Sequence, residues 1–185
     1  MNLSPVELEI LETMLLRSKP MEAAQIAKEN NKESSSTTTH LTELTHKGYV
    51  KSSQKGLYTL TDEGKKALGI QPITKETAKN IIAYAPHDKS FNFYVDTDKP
   101  LHMHAHSLQD FSNKLARVDL KTIEFHMENG DFEAWFKCLG DQELAVKAVV
   151  IKDRKIVGEQ LRVLLHAVIE QRCQELMKLT EHATS

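Results

Sequence analysis

Ser34-Ser35-Ser36-Thr37-Thr38-Thr39-His40-Leu41-Thr42-Glu43-Leu44-Thr45-His46-Lys47-Gly48-Tyr49-Val50 runs on into Lys51-Ser52-Ser53-Gln54-Lys55-Gly56-Leu57-Tyr58-Thr59-Leu60-Thr61-Asp62-Glu63-Gly64. The first half reads as a hydroxyl-rich helix that starts near Ser34–Ser36 and stops at Lys47-Gly48, where glycine suits a left-handed terminus. Leu41 and Leu44 fall on its inner face. Ser35, Ser36, Thr38, Thr39, Thr42 and His46 are left for the outer one. Serine and threonine are poor helix formers, so an exposed face built from them asks for a reason. The second half holds two β-prone runs, Tyr49–Ser53 and Leu57–Thr61, joined through Gln54-Lys55-Gly56. A hairpin with glycine in its turn is expected there. Thr61 or Asp62 then caps a further helix, Glu63 to Leu68, closed by Gly69.

Upstream, Ser4-Pro5-Val6-Glu7 is a helix start: a hydroxyl cap, proline at the first helical position and glutamate three residues after the cap. Leu8, Leu11, Met14 and Leu15 continue at helical spacing. Ser18-Lys19-Pro20 ends that helix, and Met21 to Lys28 reads as a second one before Asn30-Asn31. These 70 residues carry nine Lys/Arg and nine Asp/Glu. Between Lys47 and Lys66, however, five lysines face only Asp62 and Glu63, whereas Glu7, Glu9 and Glu12 crowd the first helix. Binding to nucleic acid by such a surface would be modest per copy and strongly salt-dependent.

The run Thr-Thr-Thr-His-Leu-Thr-Glu-Leu-Thr-His-Lys-Gly-Tyr-Val followed by Lys-Gly-Leu-Tyr-Thr-Leu-Thr-Asp-Glu-Gly resembles the winged helix-turn-helix domain of prokaryotic transcriptional regulators. It is similar to the MarR, ArsR and PadR groups and to small archaeal winged-helix proteins. The resemblance covers about half of the first domain and does not separate those groups. It implies that Glu33 to His46 is a recognition helix, Ser52 to Leu57 a wing, and double-stranded DNA the partner. Ser35, Ser36, Thr38, Thr39 and Thr42 would then enter the groove, with Lys51 and Lys55 on phosphate and His46 a further DNA-binding residue. The helix departs from a common pattern in having no arginine, so the bidentate guanine contact is missing.

Gln71-Pro72-Ile73-Thr74 reads as a junction, with a second domain over 75–180. Thr74 caps a helix, Lys75 to Ala83. Phe91, Phe93 and Val95 alternate as a strand does, Asp96–Pro100 turns, and Leu101–His106 forms the return strand. Helices follow from Ser107, from Leu120 to Glu128, from Asp131 and from Asp141, each Gly-Asp pair ending one helix and capping the next. Ile156 to Leu179 is one long amphipathic helix, either the spine of this domain or a pairing surface for a second copy. Winged-helix regulators meet two half-sites, so a homodimer is expected. The spaced Phe125-His126, Gly130-Asp131-Phe132, Trp135 and Leu139-Gly140-Asp141 are similar to a small, mostly archaeal domain family with no assigned activity. His126 reads as a hydrogen-bonded core histidine. The overall expectation is an α+β, predominantly helical chain.

Leu101-His102-Met103-His104-Ala105-His106 places three imidazoles on one face if it is a regular strand. His102, His104 and His106 could then share a transition metal ion, the only cofactor the chain suggests. Little points to catalysis: there is no Gly-rich phosphate loop and no Gly-x-Ser-x-Gly elbow. Cys138 and Cys173 lie in apolar-periodic contexts and read as buried free thiols of a reducing, cytoplasmic compartment. In a chain of 185 residues, 40% hydrophobic with net charge −2, no apolar run is long enough for a membrane span. Met1–Glu7 does not read as a secretory signal. Three readings result: a DNA-binding regulator of transcription, a winged-helix adaptor that binds another polypeptide, and a metal-responsive sensor.

Overall fold

The computed structural model describes residues 3–181; Met1 and Asn2, at the head of the expected first domain, lie outside them. The chain divides into two compact units, Met1–Pro72 and Ile73–Ser185. It is an α+β protein, mostly helical, with two small antiparallel sheets. No helix among the described residues is long and apolar enough to cross a membrane.

The first unit runs α1 (Pro5–Arg17), β1 (Met21–Glu22), α2 (Ala23–Glu29), α3 (Ser34–His46), β2 (Val50–Ser52), β3 (Leu57–Leu60) and α4 (Asp62–Ala67). α1 starts on a full capping box: Glu7 N–H donates to Ser4 Oγ, and Ser4 N–H donates to the Glu7 carboxylate at 2.8 Å. Met21 and Glu22 are not the first turn of α2, as their helical neighbours suggest. They pair with Tyr58 and Leu57, so the sheet order is β1-β3-β2. Pro20 lies just before them and breaks the chain from α1, and the edge of β3 takes up the extended pair. Ile10, Leu11, Met14, Met21, Ile26, Leu41, Leu44 and Val50, drawn from α1, α2, α3 and the sheet, form one buried cluster.

The second unit runs α5 (Lys75–Ile82), a 3-10 turn (His87–Lys89), β4 (Phe91–Asp96), β5 (Lys99–Ala105), α6 (Leu108–Leu115), α7 (Leu120–Asn129), α8 (Asp131–Leu139), α9 (Gln142–Asp153) and α10 (Gly158–Glu181). Phe91 and Phe93 of β4 meet Phe111 at ring-centroid distances of 5.1 and 5.5 Å, and Phe91 lies 5.5 Å from Trp135. This aromatic block is the centre of the unit. Gly130 and Gly140 end α7 and α8 at φ 76° and 88°, a conformation open to glycine without steric cost. α10 packs on α5, α6, α7 and α9 and buries Leu161, Leu165, Val168, Ile169, Arg172, Cys173 and Leu176. It is therefore the spine of its unit, with Val163 and Met177 on its exposed side.

Three details differ from expectation. The β4–β5 turn is tighter, since Asp96 pairs directly with Lys99. Cys138 is exposed, and only Cys173 is buried. Asp131 does not cap α8: its carboxylate binds His126 instead, and the cap position is Gly130.

Candidate functional site

α3 turns Thr37, Leu41 and Leu44 into the core and leaves Ser35, Ser36, Thr38, Thr39, Thr42 and His46 exposed. The threonine hydroxyls are committed to the helix itself. Thr38 Oγ1 donates to Ser34 O at 2.8 Å, Thr39 to Ser35 O at 3.2 Å and Thr42 to Thr38 O at 2.9 Å. The more buried Thr37 and Thr45 do the same with Glu33 O and Leu41 O, at 2.9 and 2.7 Å. Such back-bonding is a known arrangement of threonine within a helix and takes up the hydroxyl proton inside it. Glu43 is exposed on the same side of the helix. A sequence search for cationic contacts passes over it because it is an acid.

The helix end and the hairpin are joined tightly. Lys47 Nζ pairs with the buried Glu7 carboxylate, tying α3 to α1. Burial alone would raise the Glu7 pKa; Lys47 and Ser4 outweigh it and hold this carboxyl below its ordinary value. Thr61 caps α4, accepting Gly64 N–H at 3.1 Å, and its hydroxyl donates to Gly48 O at 2.7 Å. A Cβ on Gly64 would sit 2.3 Å from Tyr49 O and 2.7 Å from Leu60 Cδ1. The Leu-Thr-Asp-Glu-Gly run thus clamps the base of the hairpin to the end of α3. At the hairpin tip, Gly56 N–H donates to Ser53 O at 3.0 Å with Gly56 at φ 70°.

Of the lysines between 47 and 66, Lys47 is held by Glu7 and Lys66 by Glu63 at 2.6 Å. Lys51 and Lys55 are exposed, and among the described residues neither forms an ion pair. The first unit therefore displays a hydroxyl and methyl face on α3 and, on the adjoining hairpin, two cations without intramolecular partners.

The expected histidine trio is not assembled. Two register shifts interrupt the β4–β5 ladder, and His102 sits in the irregular stretch at φ 51°, so period-two alternation fails there. His106 lies beyond the strand. Its Nδ1–H donates to Ala85 O at 3.0 Å, and its ring stacks on Tyr84 with centroids 4.8 Å apart. His104 Nδ1 is bonded to Asn92 Oδ1. The ring that does approach His104 and His106 is His87, at 4.9 and 6.2 Å. Burial, and then the charges of His87, His106, His102 and Lys114, hold the His104 pKa below its ordinary value. Among the described residues no three His, Cys, Asp or Glu side chains are gathered to hold a metal ion.

His126 is a satisfied core group. Its Nδ1–H donates to Asp131 at 2.7 Å, and its Nε2 accepts the Tyr94 N–H at 2.8 Å. With both nitrogens occupied by protein, it has no lone pair free for a substrate or metal. A buried charged cluster in the same unit centres on Arg172, which reaches Asp141 at 2.8 Å, Glu143 at 3.1 Å and Glu175 at 3.3 Å, while Lys147 meets Glu143 at 2.9 Å. No family model, no curated protein and no solved structure matches this chain. Its function rests on the geometry of these two units.

Proposed function

We propose that this chain is a DNA-binding regulator of transcription whose first unit is a winged helix-turn-helix. In this reading α3 lies in the major groove and the β2–β3 hairpin is the wing against the neighbouring backbone. The observation that carries it is the pairing of two features on adjoining elements. One is an exposed, fully helical face of Ser35, Ser36, Thr38, Thr39 and Thr42. The other is Lys51 and Lys55 on the hairpin, whose fellow lysines at 47 and 66 are neutralised within the fold. Side chains that position a protein on a duplex contact phosphate; those that specify sequence contact base edges. Lys51 and Lys55 suit the first task, and the α3 face suits the second. The protein acts by binding, in the cytoplasm beside its DNA, and the second unit supplies pairing with another copy or contact with an effector. Two-fold pairing would match two half-sites of an operator.

The deciding experiment is selection of bound fragments from genomic DNA by the full-length protein at low salt. Enrichment of a few intergenic fragments is the expected result. Glu43 on the exposed face and the absence of arginine from α3 favour the second reading, an adaptor that docks a polypeptide. No enrichment at any salt concentration, together with capture of one defined protein, would establish the adaptor and end the DNA reading.

A further inference from the structure

The hydrogen bonds inside α3 bear on which bases the helix can read. All five threonines of α3 donate their hydroxyl protons to carbonyls four residues earlier. At Thr38, Thr39 and Thr42, the exposed ones, the hydroxyl proton is taken up by the helix, which leaves a methyl group and the oxygen's accepting lone pairs to meet a partner. Residues four apart form ridges on a helix, so Thr38-Thr42-His46 is one ridge and Ser35-Thr39-Glu43 is its neighbour. Glu43 is also an acceptor only. On the exposed face, donors that are not already engaged stand at the two ends, Ser35 and Ser36 in the first turn and His46 in the last; the ring of His40, at mid-helix, is half-buried.

We propose that the centre of α3 reads thymine methyls and exocyclic amines, and therefore selects A·T-rich half-sites and disfavours guanine. This rests on the DNA-binding reading above. In the major groove guanine offers two acceptors, N7 and O6, and needs donors opposite it. An A·T pair offers both the thymine C5-methyl and the adenine N6 amine, whereas a G·C pair offers only the cytosine N4 amine, beside two guanine acceptors and without a methyl. Methyl meets methyl, and the accepting hydroxyl or the Glu43 carboxylate meets the amine. Reading guanine would require a threonine to give up its bond to the preceding turn, whereas reading adenine leaves that bond in place. The terminal donors Ser35, Ser36 and His46 lie outside this central stretch.

The test is selection from a random duplex library with the full-length protein, followed by fluorescence anisotropy on the selected duplex. Thymines in the selected site are replaced one at a time by deoxyuridine, which removes only the C5-methyl. Each contacted position should lose about fourfold in affinity, the value of one buried methyl group. A Thr38→Ser/Thr39→Ser/Thr42→Ser variant keeps the hydroxyls and the helix and should bind the thymine and deoxyuridine duplexes equally. Thr42→Val keeps the methyl and should retain the discrimination. Tight binding to a selected site that is guanine-rich, or that is insensitive to deoxyuridine, would overturn this specificity and leave DNA binding standing. Failure to bind any duplex would overturn both.

Discussion

Arg172→Leu should unfold the second unit far more readily than its position on an amphipathic helix suggests. Arg172 is 4% exposed, and beside it Asp141 and Glu143 are 0% and 3% exposed. Burial alone would lower the Arg172 pKa; Asp141, Glu143 and Glu175 outweigh it and keep the guanidinium firmly protonated. Leucine fills much of the volume but strands Asp141, leaving Lys147 as the remaining buried cation near Glu143. Breaking a buried pair on one side costs about 3–5 kcal/mol. With a urea slope on the order of 2 kcal/mol per molar, the midpoint should fall by about 2 M. Trp135 is the single tryptophan. It is buried in the second unit with Nε1–H on Lys89 O at 2.9 Å, so its fluorescence follows this unit alone. The double variant Asp141→Asn/Arg172→Leu removes the stranded charge, and asparagine still caps α9 through Leu144 N–H. It should regain at least about 1 kcal/mol over the single variant. A midpoint shift under about 0.5 M for Arg172→Leu, or a double variant no more stable than the single one, would refute the reasoning.

Three further outcomes follow from the geometry. Burial lowers the His126 pKa, Asp131 raises it, and the net position is below the ordinary 6.5. The unfolded chain therefore takes up this proton first, and the stability His126 contributes is present above about pH 6.5 and is lost as pH falls through its folded value. The pH dependence of urea stability below 6.5 should be shallower in His126→Asn than in the wild type; equal slopes would contradict this. Thiol titration of the native protein should detect one cysteine, Cys138. Burial, and then the Glu170 and Asp141 charges, push the Cys173 thiol up to about 12, so two fast-reacting thiols would be the wrong result. Gly64→Ala forces a methyl against Tyr49 O and should cost about 1–3 kcal/mol as overpacking; the change is read by thermal melting of the first unit, and an unchanged midpoint would show that the hairpin base is loose.

Local signals were legible where a residue's own neighbours satisfy it. Ser4, Thr61, Thr74, Ser107 and Asp141 each accept a backbone N–H three residues on, and that geometry is written into hydroxyl or carboxylate residues ahead of apolar periodicity. Gly130 and Gly140 were readable as helix stops for the same reason. What escaped depends on partners distant in sequence. β1 is two residues long and exists because β3 offers an edge 35 or so positions later. Arg172 is a charged residue within the periodic pattern of α10, and its partner Asp141 lies 31 positions upstream. His102 adopts a left-handed backbone that its residue type does not announce, and that irregularity disperses the histidines that simple alternation would align. On α3 the exposed hydroxyl residues could be picked out by helical spacing, but the direction of their hydroxyl protons could not. That direction separates a donor surface from a methyl surface.

DNA docking through the hairpin is tested most directly by the salt dependence of affinity. Binding of the full-length protein to a selected genomic duplex would be measured between 50 mM and 200 mM salt, beside Lys51→Ala/Lys55→Ala. Each phosphate contact contributes roughly 0.9 to the slope of log K against log salt. The double variant should therefore show a slope smaller by about 1.8 per bound copy, with weakening of similar size on every sequence. Identical slopes for the two proteins would mean that the hairpin lysines do not touch the duplex, and the winged-helix account of this chain would be wrong.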